Sequence, residues 1–369
     1  MLRTSRYGLI LTISALALPA MAESKAAGKD SYWLVSPELL KHANLKVLWQ
    51  DQLPFQKTET LEQMLILENR MYALSDKNFL VSLDRQQGTM VFSRSIAPAG
   101  FTVLGLDVYD DELVSVIANR LVELDPGLGT ERRGKPLEFR IVCPAARNGS
   151  YFYMAGTDRR LHALHADNKV QAFEVAAQND SLITSIIADE RFVIFGTDAG
   201  NVVSIAPDRP YRFWQFDAAE AITGPMVRDG TSLFFASKDT HVYRVDMVDL
   251  FTKKLVWKSP MPGVLRNEPR VTQQVVYQYA GGKGLTAIDR PSGGHIWSLE
   301  QGTDLLAEAA GRAYVITNSR TLVVMDNKQA KKLYVVNFVD VSRYAVNTVD
   351  SKIYIADERG RVACLEPIE

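Results

Sequence analysis

The stretch "LTAIDRPSGGHIWSL", residues 285–299, decides the fold because its pattern returns at regular intervals along the chain. An apolar run ends at Asp289, a short turn contains Gly293, and a second apolar run carries Trp297. Equivalent run ends occur at Asp84, Asp125, His165, Ala206, Asp246, Asp289, Asp326 and Glu366. Successive spacings are 41, 40, 41, 40, 43, 37 and 40 residues. A period near 40 residues that is kept along the whole chain indicates a repeat architecture.

Each copy contains four short runs rich in β-branched and aromatic residues, such as "YFYMAG", "FVIFGT", "TLVVMD" and "HIWSL". Gly, Asn and Asp separate the runs, and this composition is typical of strands joined by turns. Four antiparallel strands in about 40 residues are typical of one β-propeller blade. The sequence therefore predicts an all-β, single-domain, eight-bladed propeller over residues 45–369. Seven blades plus a separate sheet is the alternative.

The two ends of the repeat region complement each other. The eighth copy stops at Glu369 before its fourth strand, whereas "LKVLWQDQL", residues 45–53, is a fourth strand with no first three before it. Trp49 occupies the position of the aromatic residue in this strand. Because a ring of stacked sheets has no unstacked end, we expect the N-terminal strand to complete the last blade and close the ring.

The turn that follows the third strand has its own chemistry. Asp289 can accept hydrogen bonds from backbone N–H groups of this turn, and Gly293 can supply the positive φ that such turns require. Trp297 would then fill the gap between neighbouring blades, and its loss to Ala would cost about 3–5 kcal/mol.

The N-terminus differs from the repeats. Arg3 and Arg6 precede an apolar run and an Ala-x-Ala exit that ends at Ala22, which is typical of a cleavable secretory signal. The apolar run is shorter than the roughly 20 residues of a membrane anchor, the alternative interpretation. Residues 1–22 are predicted to be a signal peptide, with cleavage before Glu23 and no lipid-bearing Cys. Residues 23–44 form an extension in which Ser36 and Pro37 predict a short helix packed across the ring, a linker being the alternative.

The quoted stretch resembles the repeat of quinoprotein-like (PQQ-like) β-propellers, in which a third strand ending in Asp is followed by Gly and a Trp-bearing strand. Asp289, Gly293 and Trp297 match this pattern, and Asp84 and Gly88 match it in the first copy. One branch of the family holds PQQ and Ca²⁺ on the propeller axis. The other is non-catalytic and is best known from the BamB subunit of the outer-membrane β-barrel assembly machinery.

The sequence does not carry the groups that the enzymatic branch would require. Quinoprotein alcohol dehydrogenases have adjacent cysteines, whereas Cys143 and Cys364 belong to different copies. We interpret both as buried free thiols, with a disulfide as the alternative. The five histidines are scattered and predict no metal site. We therefore predict no catalytic, cofactor-binding or metal-binding residues and no cofactor.

Two further segments invite a functional interpretation. "YAGGKG", residues 279–284, precedes a strand rather than a helix, so it is predicted to be a hairpin turn and not a phosphate loop. "TERRGKP", residues 130–136, is predicted to be a solvated loop, with a partner contact as the alternative.

The remaining candidates for function are the loops at the rim. The formal net charge of −1 and the lack of basic runs argue against nucleic acid or an anionic membrane. "SPMPGVLRNEPR", residues 259–270, is the longest turn-rich connector and the first candidate for partner binding, with an ordinary blade connector as the alternative. Met261, Val264 and Leu265 are expected to be exposed there. The sequence predicts a periplasmic or otherwise exported, monomeric scaffold that binds protein partners through one rim, without an integral membrane segment. A propeller that binds a small molecule or PQQ-type cofactor on its axis is the alternative.

Overall fold

The computed structural model describes residues 33–368, and one compact unit begins at Leu34. The predicted signal peptide, residues 1–22, lies outside the described residues. Eight four-stranded antiparallel sheets form an eight-bladed propeller, as the 40-residue period predicts. In seven blades the strands follow one another in sequence order, so each blade is a meander of three hairpins.

The first strand, β1 (Leu45–Gln52), belongs to the last blade. The strands of blades 1 to 4 are β2 (Leu61–Leu67), β3 (Arg70–Ser75), β4 (Phe79–Asp84), β5 (Met90–Ser95), β6 (Val103–Tyr109), β7 (Glu112–Ile117), β8 (Arg120–Leu124), β9 (Glu131–Pro136), β10 (Ala146–Arg147), β11 (Tyr151–Ala155), β12 (Arg160–His165), β13 (Gln171–Ala176), β14 (Ile183–Ala188), β15 (Val193–Thr197), β16 (Asn201–Ile205) and β17 (Arg212–Asp217).

Blade 8 has only three strands from the end of the chain. The strands of blades 5 to 8 are β18 (Val227–Asp229), β19 (Ser232–Ala236), β20 (His241–Met247), β21 (Lys253–Pro260), β22 (Arg270–Val271), β23 (Val275–Ala280), β24 (Gly284–Asp289), β25 (His295–Leu299), β26 (Gly302–Ala309), β27 (Arg312–Thr317), β28 (Thr321–Asp326), β29 (Lys331–Asn337), β30 (Arg343–Ala345), β31 (Ile353–Ala356) and β32 (Arg361–Pro367). Strand β1 pairs antiparallel with β32, from Leu45 opposite Pro367 to Gln52 opposite Arg361. The predicted closure by the N-terminal strand is confirmed.

A short helix, α1 (Pro37–His42), precedes β1. The Ser36 hydroxyl accepts a hydrogen bond from Leu39 N at 3.3 Å, and Pro37 occupies the first helical position. Leu40 is fully buried and belongs to an apolar cluster with Phe338. The helix contacts β1 and β29, the outermost strands of blades 8 and 7. Our expectation that it packs across the ring is therefore wrong, because it lies at the outer edge of a single junction.

Buried apolar side chains form eight clusters among the described residues, and each cluster lies between two neighbouring blades. Trp257 shows how the fourth strand contributes. A register shift in the β20–β21 pairing lies beside Trp257, as expected of a bulge that redirects a side chain. The Trp257 indole N–H donates to Arg290 O of blade 6 at 2.9 Å, and a Cβ on Gly293 would lie 2.7 Å from this ring. The predicted roles of the turn glycine and of the aromatic residue are confirmed.

The junction between blades 2 and 3 is built differently. Residues 131–136 are not the solvated loop that we predicted but the fourth strand of blade 2. Arg133 lies opposite Glu123 in blade 2, and at the equivalent position of blade 6 Trp297 lies opposite Ala287. An arginine therefore replaces the aromatic residue in blade 2. Its guanidinium pairs with Glu112 and with Glu123, and the latter distance is 2.9 Å. The prediction of a loop is wrong because this strand lacks the aromatic residue that identifies the fourth strand in other blades.

Blade 3 supplies the other half of this ionic junction. Lys169, at φ 58°, replaces the usual turn glycine, and its ammonium group lies 2.9 Å from the buried Glu123 carboxylate. Arg147 pairs with Glu112, and its guanidinium lies 4.6 Å from the centroid of the Phe152 ring. Burial opposes the charged form of Glu112, but hydrogen bonds from Arg147 and Arg133 outweigh it and lower the pKa of this carboxyl group. This junction thus combines its apolar cluster with buried ion pairs.

Candidate protein-binding surface

The antiparallel blades give the ring two different ends. We call the end that carries the turns from first to second and from third to fourth strands the hairpin face. The opposite end, the connector face, carries the turns from second to third strands and the segments that join successive blades. Residues 261–269 join β21 of blade 5 to β22 of blade 6 and lie on the connector face.

The apolar side chains of this connector do not match our expectation. Met261 is 6% exposed and Leu265 is fully buried, and both belong to the cluster between blades 5 and 6 with Phe234 and Trp257. The prediction that these two side chains are exposed is wrong, because each fills a space that the neighbouring blade creates. Val264 is 49% exposed, as expected.

Hydrogen bonds to the backbone hold the 261–269 loop at three points. Met261 N donates to Thr240 O at 2.7 Å, and Gly281 N donates to Val264 O at 2.9 Å. The fully buried Gln278 side chain donates to Asn267 O at 3.1 Å. The loop is therefore a fixed surface, which lowers the entropy lost when a partner binds.

The anchored loop presents a small mixed surface to solvent. Pro262, Val264, Arg266 and Asn267 are exposed. Arg266 forms no ion pair or side-chain hydrogen bond within residues 33–368, so its five N–H donors are free for a partner. Arginine is one of the residues that protein interfaces favour. Sequence reasoning missed Arg266, although it lies two positions from Val264.

The end of this loop leads into a polar network at the axis. Arg270 donates to both carboxylate oxygens of Asp304 in blade 7, each at 3.0 Å, and pairs with Glu268. The Tyr344 hydroxyl of blade 8 lies 3.4 Å from Asp304 Oδ2. Burial disfavours the charge on Arg270, but Asp304 and Glu268 outweigh this effect and raise the pKa of the guanidinium. The network fixes the base of the loop across three blades.

The first strands of the blades line an axial channel. It contains cavities of about 460 and 430 Å³ that share Gln63 and Leu65 of blade 1. Leu104, Leu106 and Ile186 are among the apolar residues of the larger cavity. The walls of this cavity desolvate the Asp107 carboxyl group and raise its pKa. Asp107 has no cationic partner within the described part of the chain.

Other motifs from the sequence lie in structural positions. The segment 279–284 contains the hairpin turn between β23 and β24, as predicted, and Lys283 N donates to Ala280 O there at 2.9 Å. His162 stacks on Phe139 with ring centroids 3.7 Å apart and lies 2.9 Å from Asp158 Oδ2. Between residues 33 and 368, no three His, Cys, Asp or Glu side chains are grouped as metal ligands.

Both cysteines are buried and unpaired, as we interpreted them from the sequence. Cys143 is 5% exposed and lies between blades 3 and 4, whereas Cys364 is fully buried in blade 8. Within the described residues, no helix combines the length and the apolar character needed to span a membrane.

Comparisons with known proteins agree with this architecture. The family model described as "Outer membrane protein assembly factor BamB" matches residues 198–340, which include the 261–269 loop. No curated protein matches the sequence significantly. The crystal structure of BamB from Moraxella catarrhalis superposes with a TM-score of 0.67 at 15% identity, covering 87% of this chain and 97% of that chain.

The fold is also close to that of a designed protein. The computationally designed Ika8 protein superposes with a TM-score of 0.65 at 14% identity, covering 86% of this chain and 98% of the designed chain. Identities this low establish the fold and leave activity open. The chain is therefore an eight-bladed β-propeller similar in fold to BamB, and its residues 198–340 match the BamB family model.

Proposed function

We propose that this protein is an exported, non-enzymatic platform of the cell envelope that binds a protein partner and serves outer-membrane protein assembly. The match of residues 198–340 to the BamB family model carries the proposal. The 261–269 loop lies within the matched segment and supplies a surface of suitable chemistry, with Val264 and Arg266 exposed on a fixed backbone. We infer that the partner docks on the connector face.

Affinity capture from the native envelope fraction tests the proposal. The wild-type protein should retain at least one envelope protein, and Val264→Asp or Arg266→Glu should remove it by placing charge, or reversed charge, in the contact. Val349→Asp is the matched control, because Val349 is 82% exposed on the hairpin face. Retention of the same proteins by all three variants would exclude the 261–269 loop as the docking surface.

Export is part of the proposal and has its own test. Cleavage after Ala22 would leave Glu23 as the first residue of the mature protein. Mass spectrometry of protein from the periplasmic fraction should give this N-terminus. A cytoplasmic protein that retains residues 1–22 would contradict export. A single sedimenting species with the mass of one chain would support the monomeric state.

Binding of a small molecule on the axis is the second candidate function. It is favoured by the 460 Å³ cavity and by Asp107, a carboxylate without a cationic partner among the described residues. The cavity does not fit PQQ with Ca²⁺. Its lining contains no Trp on which the quinone could stack, and Asp107 is the single carboxylate that could bind the cation. We therefore expect no thermal shift with PQQ and Ca²⁺. A large shift at micromolar cofactor would overturn the platform function.

A further inference from the structure

The hairpin between the third and fourth strands of blade 5 is longer than its counterpart in blade 6. In blade 6 the pairing ends at Ile288 opposite His295. In blade 5 two more pairs continue it, Asp246 with Lys254 and Met247 with Lys253. At about 3.4 Å per residue, the tip of the blade 5 hairpin extends roughly 7 Å further. This longer hairpin explains why the step from Asp246 to Asp289 is 43 residues instead of about 40.

The tip of this hairpin is apolar. Val248 is 63% exposed and Phe251 is 60% exposed. Phe251 packs edge to face on Phe213 of blade 4 with ring centroids 5.1 Å apart, and Phe213 packs on Tyr211 at 5.9 Å. We call Tyr211, Phe213, Val248 and Phe251 the aromatic edge. It projects from the hairpin face at the boundary of blades 4 and 5.

Basic side chains border the aromatic edge. They come from two blades and are Arg209, Arg212, Lys253 and Lys254. Arg209 also pairs with Asp208 at 3.5 Å, and Arg212 donates to Gln215 Oε1 at 2.9 Å. The Arg209 guanidinium lies 5.9 Å from the centroid of the Tyr211 ring. The sequence holds no continuous basic run here, and the fold gathers these four charges.

The acidic side chains of the same hairpin are engaged within it. The Asp249 carboxylate accepts backbone hydrogen bonds from Phe251 at 2.7 Å and Thr252 at 2.8 Å, and the Phe251 N–H in particular lowers its pKa. Asp246 accepts two hydrogen bonds from the Arg244 guanidinium, each at 3.0 Å. Asp249 keeps its negative charge and Asp208 pairs with Arg209, but the four basic side chains still leave a net positive charge beside the aromatic edge.

We propose that the aromatic edge binds the surface of an anionic membrane. Phe251 and Val248 would enter the headgroup region, and the four basic side chains would face lipid phosphates. The edge is a projection, and a projection can enter a lipid surface without a matching groove. Aromatic side chains favour the membrane interface, and each Lys or Arg near an anionic surface adds electrostatic attraction. Since the 261–269 loop lies on the opposite face, lipid and partner could be bound at once.

Co-sedimentation with vesicles tests the proposal. The probes are vesicles of pure phosphatidylcholine and of an equimolar mixture with phosphatidylglycerol, and every variant is compared in the same processed form, verified by mass. The wild type should bind the mixed vesicles and lose binding as salt is added. Phe251→Asp should weaken it by about tenfold or more, and a Lys253→Glu, Lys254→Glu double variant should do the same.

Two further variants separate membrane contact from loss of structure. Val349→Asp, at an exposed position on the same face, should leave vesicle binding unchanged. Phe251→Leu should retain most of the vesicle binding. Both Phe251 variants should keep the wild-type melting temperature, because Phe251 is largely exposed, and the remaining variants should keep it as well. Absence of binding to either vesicle, equal binding to both, or wild-type binding by Phe251→Asp would overturn the proposal. If Phe251→Asp binds vesicles normally but loses a captured envelope protein, the aromatic edge is a protein-docking surface instead.

Discussion

The indole of Trp49 lies directly against Gly88. A Cβ on Gly88 would be 2.5 Å from Trp49 Cδ2, and the indole N–H donates to Arg85 O at 3.1 Å. Trp49 is on β1, so the first strand of the chain belongs to blade 8 and at the same time fixes the position of blade 1. The closure of the ring therefore depends on a glycine at a positive φ of 73°.

Gly88→Ala should destabilise the ring for two reasons. The left-handed conformation costs a non-glycine residue about 1–2 kcal/mol, and overpacking against Trp49 adds about 1–3 kcal/mol. Gly311→Ala separates the two effects, since Gly311 has a φ of 75° and nothing within 4 Å of its Cβ position. Urea denaturation should show a loss about twice as large for Gly88→Ala. Equal losses would mean that the contact with Trp49 contributes nothing.

Trp297→Ala should lower the free energy of unfolding by about 3–5 kcal/mol, as expected for a large buried ring. Trp297 is 6% exposed, and its indole N–H donates to Asn327 Oδ1 of blade 7 at 2.8 Å. Leu128→Ala is the control, because Leu128 is 62% exposed and should change stability by less than about 0.5 kcal/mol. Similar denaturation midpoints for both variants would contradict the role of the ring between blades 6 and 7.

Glu123→Ala should cost about 3–5 kcal/mol, because it leaves Lys169 and Arg147 as partly uncompensated buried charges. The Glu123 side chain is 1% exposed and that of Lys169 is 9% exposed. Glu131→Ala removes an ion pair with Arg120 whose two side chains are 42% and 43% exposed, and it should cost no more than about 1 kcal/mol. Thermal denaturation at matched pH and salt measures both. A small loss for Glu123→Ala would show that the junction of blades 2 and 3 tolerates unpaired charge.

The two thiols should be inert in the folded protein. Burial raises the pKa of Cys143 and of Cys364 to about 12, so almost no thiolate is present at pH 8. A chromogenic thiol reagent at this pH should detect no thiol until denaturant is added, and then both. Since the native state holds these protons more tightly than the unfolded chain, with its pKa near 8.5, stability should decline as pH rises from about 8.5 to 12. Rapid labelling of the native protein would contradict their burial.

The sequence was sufficient where one local pattern determines the structure. Asp289, Gly293 and Trp297 act within their own turn and the adjoining junction, and their period gave the eight blades and the role of β1. It was insufficient where the neighbouring blade decides. Arg133 made its strand hard to recognise, because it replaces the expected aromatic residue. It pairs instead with Glu123, which also pairs with Lys169, and both residues lie outside that strand.

The candidate surfaces show the same dependence. Leu265 was expected on the surface but is buried, because its environment comes from Phe234 and Val276 of adjoining blades. Phe213 and Phe251 are far apart in the sequence, and their contact follows from the packing of blades 4 and 5. The sequence pattern of a single strand does not show which side chains will contact each other across the junction of two blades.

The pairing of Leu45–Gln52 with Arg361–Pro367 joins segments that are more than 300 residues apart. A contact of such high sequence separation forms late, since the entropy of closing a long loop must be overcome first. During synthesis, and during any passage through a translocation pore, the earliest strand has no native strand partner until the last one emerges. Its unpaired backbone groups are open to wrong pairing throughout this interval. The pairing of the first strand with the last closes the finished ring. It also makes folding depend on protection of the nascent chain from wrong pairing.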